Sequence, residues 1–145
     1  MAKKKILFLC TGNSCRSQMA EAFVNHQFAD RARAFSCGTH PRPVHPLAIK
    51  VMSEIGIDIS RQQSKSIETF SGKSFDLFIT LCDRANENCP LRFEGQPRLH
   101  VGFADPSEKR GPDEETLAEF RVVRDAILMW LNDYFDAFEA GETDR

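Results

Sequence analysis

The segment Ile6-Leu7-Phe8-Leu9-Cys10 is apolar at every position and too short for a helix. A strand with two apolar faces has to be covered on both, which is the situation of a strand inside a parallel sheet. Phe75–Leu81 is expected as a second apolar strand, Leu99–Phe103 as a third of mixed character, and Ala34–Cys37 as a short fourth. Helical patterns separate them. After the polar loop Thr11–Ser14, Met19, Ala20, Phe23, Val24 and Phe28 keep one face. Pro46 suits the first position of a helix whose stripe Leu47, Val51, Met52 and Ile55 ends at Gly56. From Asp113 a long helix is expected to about Ala140, with Leu117, Phe120, Val123, Ile127, Leu128, Leu131, Phe135 and Phe138 inward. This order predicts an α/β domain with a central parallel four-stranded sheet, helices on both faces and right-handed crossovers. Ligands of such sheets sit beyond the carboxyl ends of the strands. Cys10, Cys82 and Asp105 follow three strands, so one rim is expected to hold the chemistry.

Length allows one ordinary core: 145 residues with 41% apolar side chains. The expectation is a single domain over 1–140 and a disordered tail over 141–145. No apolar run approaches a membrane span, and the stretch after Lys3-Lys4-Lys5 is too short for a signal peptide. The 19 basic and 21 acidic residues leave a net charge of −2, which argues against nucleic acid or a membrane surface as partner. The charge is uneven: residues 1–65 carry ten basic and four acidic side chains, so anion chemistry belongs there. Five cysteines, an odd number with no export signal, point to a reducing cytoplasm and to free thiols.

The sequence Cys10-Thr11-Gly12-Asn13-Ser14-Cys15-Arg16-Ser17 places a thiol at a strand end and an arginine at a helix start. Gly12 and Asn13 tolerate the backbone geometry that turns successive amides inward, and the helix dipole adds positive potential. Arg16 adds a planar two-pronged cation. A tetrahedral oxyanion fits this loop, with Thr11, Gly12, Asn13, Ser14, Cys15, Arg16 and Ser17 as its binding residues. Ser17 is placed to reach the Cys10 sulfur, so Cys10 is the candidate nucleophile. Zinc is not expected, because the late cysteines and the Pro-bounded His40 and His45 lack ligand spacing. Cys15 and Cys37 are read as packing residues.

The arrangement of cysteine, five residues, arginine and serine after a first strand resembles the signature of the low-molecular-weight phosphotyrosine phosphatase superfamily. Thr80-Leu81-Cys82, Asn88-Cys89-Pro90, Gly102-Phe103-Ala104-Asp105-Pro106 and Phe120-Arg121-Val122-Val123-Arg124-Asp125 extend the resemblance to the thioredoxin-coupled arsenate reductases built on that fold. The resemblance implies a low-molecular-weight tyrosine phosphatase-like fold and reduction of arsenate to arsenite, a detoxification reaction with no resident cofactor. Cys10, Arg16, Asp105, Cys82 and Cys89 would be the catalytic residues. Cys82 and Cys89 would carry the disulfide in turn until thioredoxin reduces it, and Asp105 would donate a proton. Ester hydrolysis needs only Cys10 and Asp105, so a weak phosphatase activity is a side expectation.

The rival readings are a phosphatase and a non-catalytic oxyanion- or arsenite-binding module. Ser107, where phosphatases often carry an aromatic residue, counts against the phosphatase. Some relatives bind potassium near the loop. Asn13, Glu21 and Ser36 match three of those ligands, whereas Lys65 takes the fourth position, so its ammonium is expected to replace the ion. A monomer is expected.

Overall fold

The computed structural model describes residues 3–82, 97–108 and 113–139. The strands are β1 (Lys4–Cys10), β2 (Ala32–Gly38), β3 (Leu77–Thr80) and β4 (Arg98–His100). They form one parallel sheet in the order β2-β1-β3-β4. The helices are α1 (Arg16–Gln27), α2 (Pro46–Ser53) and α3 (Asp113–Glu139). Among the described residues this is the α/β sheet expected from the alternation, with the strands in the expected chain order.

Full apolarity of β1 follows from its central place. Ile6 and Phe8 point into a core shared with Met19, Phe23, Val24, Val51, Met52, Phe120, Ile127 and Phe135, so α1, α2 and α3 gather on that face. Leu7 and Leu9 point the other way, into a smaller core with Cys37, Ile67, Phe70, Phe75 and Phe78. Among the described residues that second face is covered by a single 3-10 turn, Ile67–Phe70, rather than by an α-helix. One turn is too short to show helical periodicity, so nothing in the sequence pattern announces it.

Boundaries moved where pairing or capping overrode pattern. β2 starts earlier and ends later than Ala34–Cys37, because it pairs with β1 along its whole length from Lys4 opposite Ala32 to Cys10 opposite Gly38. β3 is shorter than Phe75–Leu81. Asp76 does not extend the run; its carboxylate accepts from the Lys5 amide at 2.7 Å. β4 stops at His100, although the Val101 and Phe103 amides still reach Thr80 O and Leu81 O at 2.9 and 3.1 Å. In α2, Pro46 occupies the first turn as expected and His45 caps it, Nδ1 accepting from Leu47 N at 3.1 Å. The helix ends at Ser53, and the chain leaves through Gly56 at φ +82°, with Ile57 N bonded to Met52 O at 3.0 Å. α3 is described to Glu139, and Ala140 lies outside the described residues. The inward placement expected of Phe138, the tail 141–145 and the segment carrying Cys89 lie outside the described residues.

The register sets the rim. Cys10 stands opposite Gly38, Leu9 opposite Thr80 and Thr80 opposite His100, so the chain leaves neighbouring strands at one level.

Candidate active site

The loop after β1 is held from outside, by its carbonyls. Thr39 N, His40 N, Arg42 N and His45 N donate to Cys10 O, Thr11 O, Gly12 O and Ser14 O at 3.3, 2.8, 2.8 and 2.9 Å. Gln18 Nε2 takes Asn13 O at 2.9 Å, and Ser64 Oγ donates a second bond to Gly12 O at 3.1 Å. With every carbonyl from Cys10 to Ser14 engaged outward, the intervening peptides can present their amides to the loop centre, the condition for an anion nest. Asn13 makes the turn at φ +47°, a value that asparagine tolerates better than most residues.

Asn13 also orders the surroundings of Cys10. Its Oδ1 accepts from Lys65 N at 2.7 Å, which fixes the amide so that Nδ2 donates to Ser17 Oγ at 2.7 Å. The Ser17 hydroxyl proton is then left for the Cys10 sulfur, 2.9 Å away.

Arg16 begins α1 and is buried. Nη1 donates to Phe103 O at 3.1 Å, and Nη2 lies 3.3 Å from Asp105 Oδ2. Nε is buried without a partner, a donor left for an anion. Burial works against the guanidinium charge, but the Cys10, Asp105, Cys82 and Cys15 charges outweigh it and raise its pKa. Burial alone would lift the Asp105 carboxyl. The Ser107 hydroxyl at 2.6 Å, the Arg16 charge and the Ser107 amide at 3.0 Å overcome it and hold Asp105 below the ordinary range. Ser107 thus anchors the carboxylate through both its hydroxyl and its amide. Cys15 faces the same group, its sulfur 3.8 Å from Asp105 Oδ1. Burial, then the Cys10 and Asp105 charges, push the Cys15 pKa to about 12, so it stays a thiol. Burial lowers the His45 pKa, with Arg42 adding to the effect and Asp105 opposing it.

Cys82 follows β3 and is half-buried, its sulfur 3.3 Å from Thr11 Oγ1. The structure therefore brings Cys10, the loop 11–17, Cys82 and Asp105 to one rim. Cys37 is fully buried in the second core. On the flank of the loop, Ser36 Oγ donates to Glu21 Oε1, and Lys65 Nζ lies 3.9 Å from the same oxygen and 2.8 Å from Gln63 O. Burial raises the Glu21 pKa, with Ser36 and Lys65 opposing. Lys65 reaches Asn13 through its backbone amide rather than its ammonium. Among the described residues no group of three His, Cys, Asp or Glu side chains could hold a metal. No described helix is long and apolar enough to cross a membrane.

Two contributors escaped the sequence reading. Gly38 is one: a Cβ there would lie 2.6 Å from Thr11 O and 2.9 Å from Asn13 N. Its only signal is a glycine at a strand exit. The strap 39–45 is the other, and it acts through backbone amides that carry no side-chain signature.

Residues 5–141 match the model of the low molecular weight phosphotyrosine protein phosphatase family. The chain belongs to that family of enzymes. Within it, the chain is 48% identical to an arsenate reductase of Halalkalibacterium halodurans over 88% of this chain and 91% of the relative. The corresponding figures for an arsenate reductase of Bacillus subtilis are 44%, 92% and 96%. Among solved structures, an arsenate reductase in the phosphate binding state superimposes with a TM-score of 0.75 at 36% identity, covering 92% of this chain and 98% of that one. A thioredoxin-dependent arsenate reductase of Corynebacterium glutamicum gives 0.62 at 25% identity over 92% of this chain and 63% of the other.

Proposed function

We propose that the protein reduces arsenate to arsenite through a three-cysteine relay regenerated by thioredoxin, in the cytoplasm and as a monomer. The observation that carries the reading is a second thiol, Cys82, at the exit next to the Cys10 loop and 3.3 Å from Thr11. Ester hydrolysis has no use for it. The arsenate reductases at 44–48% identity and the thioredoxin-dependent relative support the same chemistry.

Arsenate enters the loop, where the amides, Arg16 Nε and the helix N-terminus meet its oxygens. It displaces Asp105 from Arg16. The Cys10 thiolate attacks arsenic, and one oxygen departs as water. Asp105 is ionised in the empty site, so the proton it passes to that oxygen arrives with the substrate, which is partly protonated near neutral pH. The Cys82 thiolate then attacks the Cys10 sulfur. The sulfur–arsenic bond pair passes to arsenic, which leaves as arsenite, and the two sulfurs are oxidised to a disulfide. Cys89 attacks Cys82, frees Cys10 and carries the disulfide to a reducing dithiol such as that of thioredoxin. No resident cofactor, metal or nucleic acid takes part.

The test is arsenate-dependent NADPH oxidation with thioredoxin and thioredoxin reductase. Wild type should turn over, Cys89→Ser should release one arsenite per protein with a Cys10–Cys82 bond trapped, and Cys82→Ser should release none. Fast aryl phosphate hydrolysis indifferent to Cys82, or oxyanion binding without turnover, would replace this reading by the phosphatase or the binding module.

A further inference from the structure

Both terminal nitrogens of the loop's buried arginine are already engaged by the protein itself. One terminal nitrogen of Arg16 holds Phe103 O and the other faces Asp105. An incoming dianion therefore has to displace a carboxylate from a guanidinium that solvent barely touches. Displacement is easier for an anion already held at the rim, and a second arginine stands there.

Arg42 lies between Pro41 and Pro43, which fix their own φ and offer no amide hydrogen, so the backbone around it is stiff. Its amide is bonded to Gly12 O at 2.8 Å. Its exposed guanidinium lies over the same glycine: a Cβ on Gly12 would sit 3.2 Å from Arg42 Nε and 3.3 Å from Nη2. The glycine thus leaves room for this side chain as well as for the loop's own turn. Arg42 borders an open depression with Thr11, Thr39, His40 and Pro41. Thr11 is also the neighbour of Cys82. The Arg42 charge is felt by Asp105 and His45. Among the described residues its side chain has no carboxylate partner and no hydrogen bond. Arg121, by contrast, is committed to Glu54.

We propose that Arg42 is an anion-recruiting arginine, which captures the tetrahedral dianion at the rim of the loop and delivers it to Arg16 as Asp105 withdraws. Capture at the rim raises the local concentration of the dianion and its rate of entry, an effect carried by charge and weakened by salt. It leaves the sulfur chemistry untouched, since Arg42 does not act on Cys10 or Cys82. The proposal rests on the loop as an oxyanion site and concerns how that site is filled.

Sulfate, a tetrahedral dianion that the thiols do not reduce, is the probe. Its dissociation constant is measured calorimetrically on the reduced full-length protein at low and high ionic strength. Arg42→Ala should weaken sulfate binding about tenfold at low salt. The gap should close as salt is added, and Arg42→Lys should recover most of the affinity because the charge is retained. In the arsenate assay Arg42→Ala should raise KM by a similar factor with kcat within about twofold. Arg33→Ala removes an equally exposed arginine near the start of β2, at the opposite end of the sheet, and controls for net charge. The proposal is overturned if Arg42→Ala binds sulfate like wild type at low salt, if Arg33→Ala weakens it equally, or if kcat falls while KM stands. It is also overturned if Arg42→Lys binds as weakly as Arg42→Ala. A protein that binds sulfate with this dependence on Arg42 yet reduces no arsenate would end the reductase reading and leave the role of Arg42 standing.

Discussion

Replacing Gly38 by alanine tests whether the oxyanion loop is shaped by the strand beside it. The added Cβ would lie 2.6 Å from Thr11 O, 2.9 Å from Asn13 N and 3.1 Å from Asn13 Cβ. Carbon–oxygen contacts settle near about 3.3 Å, so the first overlap alone asks for a movement of roughly 0.7 Å. β2 cannot supply it easily, being paired with β1 from Ala32 to Gly38 and bonded through Gly38 N to Lys65 O at 2.8 Å. The loop has to move instead, and with it the peptides that present amides to an anion. Overpacking of this kind costs about 1–3 kcal/mol, which lowers the melting temperature by roughly 2–12 °C in a domain of this size. Misaligning one amide that bonds a charged oxygen costs about 1.5–3 kcal/mol, so sulfate should bind tenfold more weakly or worse. Gly56→Ala separates backbone strain from loop distortion. Gly56 sits at φ +82° with nothing within 4 Å of a Cβ, so its alanine should lose about 1 kcal/mol of stability and keep full sulfate affinity. Thermal melts and calorimetric titration of both variants give the answer. A Gly38→Ala protein that binds sulfate like wild type would refute the account of the loop.

Three further outcomes follow from the geometry. The hydrogen bond from Arg121 to Glu54 is the largest cause and, with the Arg121 charge and Arg124, outweighs desolvation and holds the Glu54 pKa at about 2. A folded pKa below the unfolded value contributes stability that is complete above about pH 4.5 and lost as pH falls toward 2. The urea midpoints of wild type and Glu54→Gln should therefore differ at pH 6 and converge near pH 2; a constant gap would contradict the assignment. Cys15, with a pKa pushed to about 12, should resist iodoacetamide at pH 8, whereas Cys10 should react first and be shielded by sulfate, as peptide mapping will read. Lys65 occupies the flank with Glu21, so potassium should raise activity and melting temperature no more than sodium at equal ionic strength; a potassium-specific rise of several degrees would show that the ion still binds.

Legibility followed the range of the interactions. β1 was readable because burial on both faces demands apolar residues at consecutive positions, and the loop after it because glycine, asparagine and arginine each answer a local need. Strand exits carried Cys82 and Asp105 to the same rim for a topological reason that composition alone does not contain. Other features depend on partners distant in sequence. The strap at 39–45 uses amides that every residue but proline possesses, Gly38 matters only because Thr11 and Asn13 cross it, and Ser107 gains its role from a carboxylate two residues back. Glycine stops helices, so the sequence points to Gly56 as the end of α2, but the last helical residue is Ser53 and Gly56 completes the exit turn.

The Cys10 loop and the second thiol follow different strands, β1 and β3. On the proposed reading a nest of amides, Arg16 and Cys10 would recognise tetrahedral geometry and charge, properties that arsenate and phosphate share, so the loop alone would not choose between reduction and hydrolysis. What would divide them is the fate of the bond to Cys10. Water on the adduct completes a hydrolysis, whereas a thiolate on the Cys10 sulfur completes a two-electron reduction. Cys82 leaves β3 beside β1, and its sulfur already meets Thr11, the residue that follows Cys10. Asp105, held ionised by Ser107 and Arg16 in the empty site, is poorly suited to act as an acid until an anion takes its place on the guanidinium. On the proposed mechanism the proton donor would thereby be armed by substrate itself, and Arg42, as proposed, would set how often this happens.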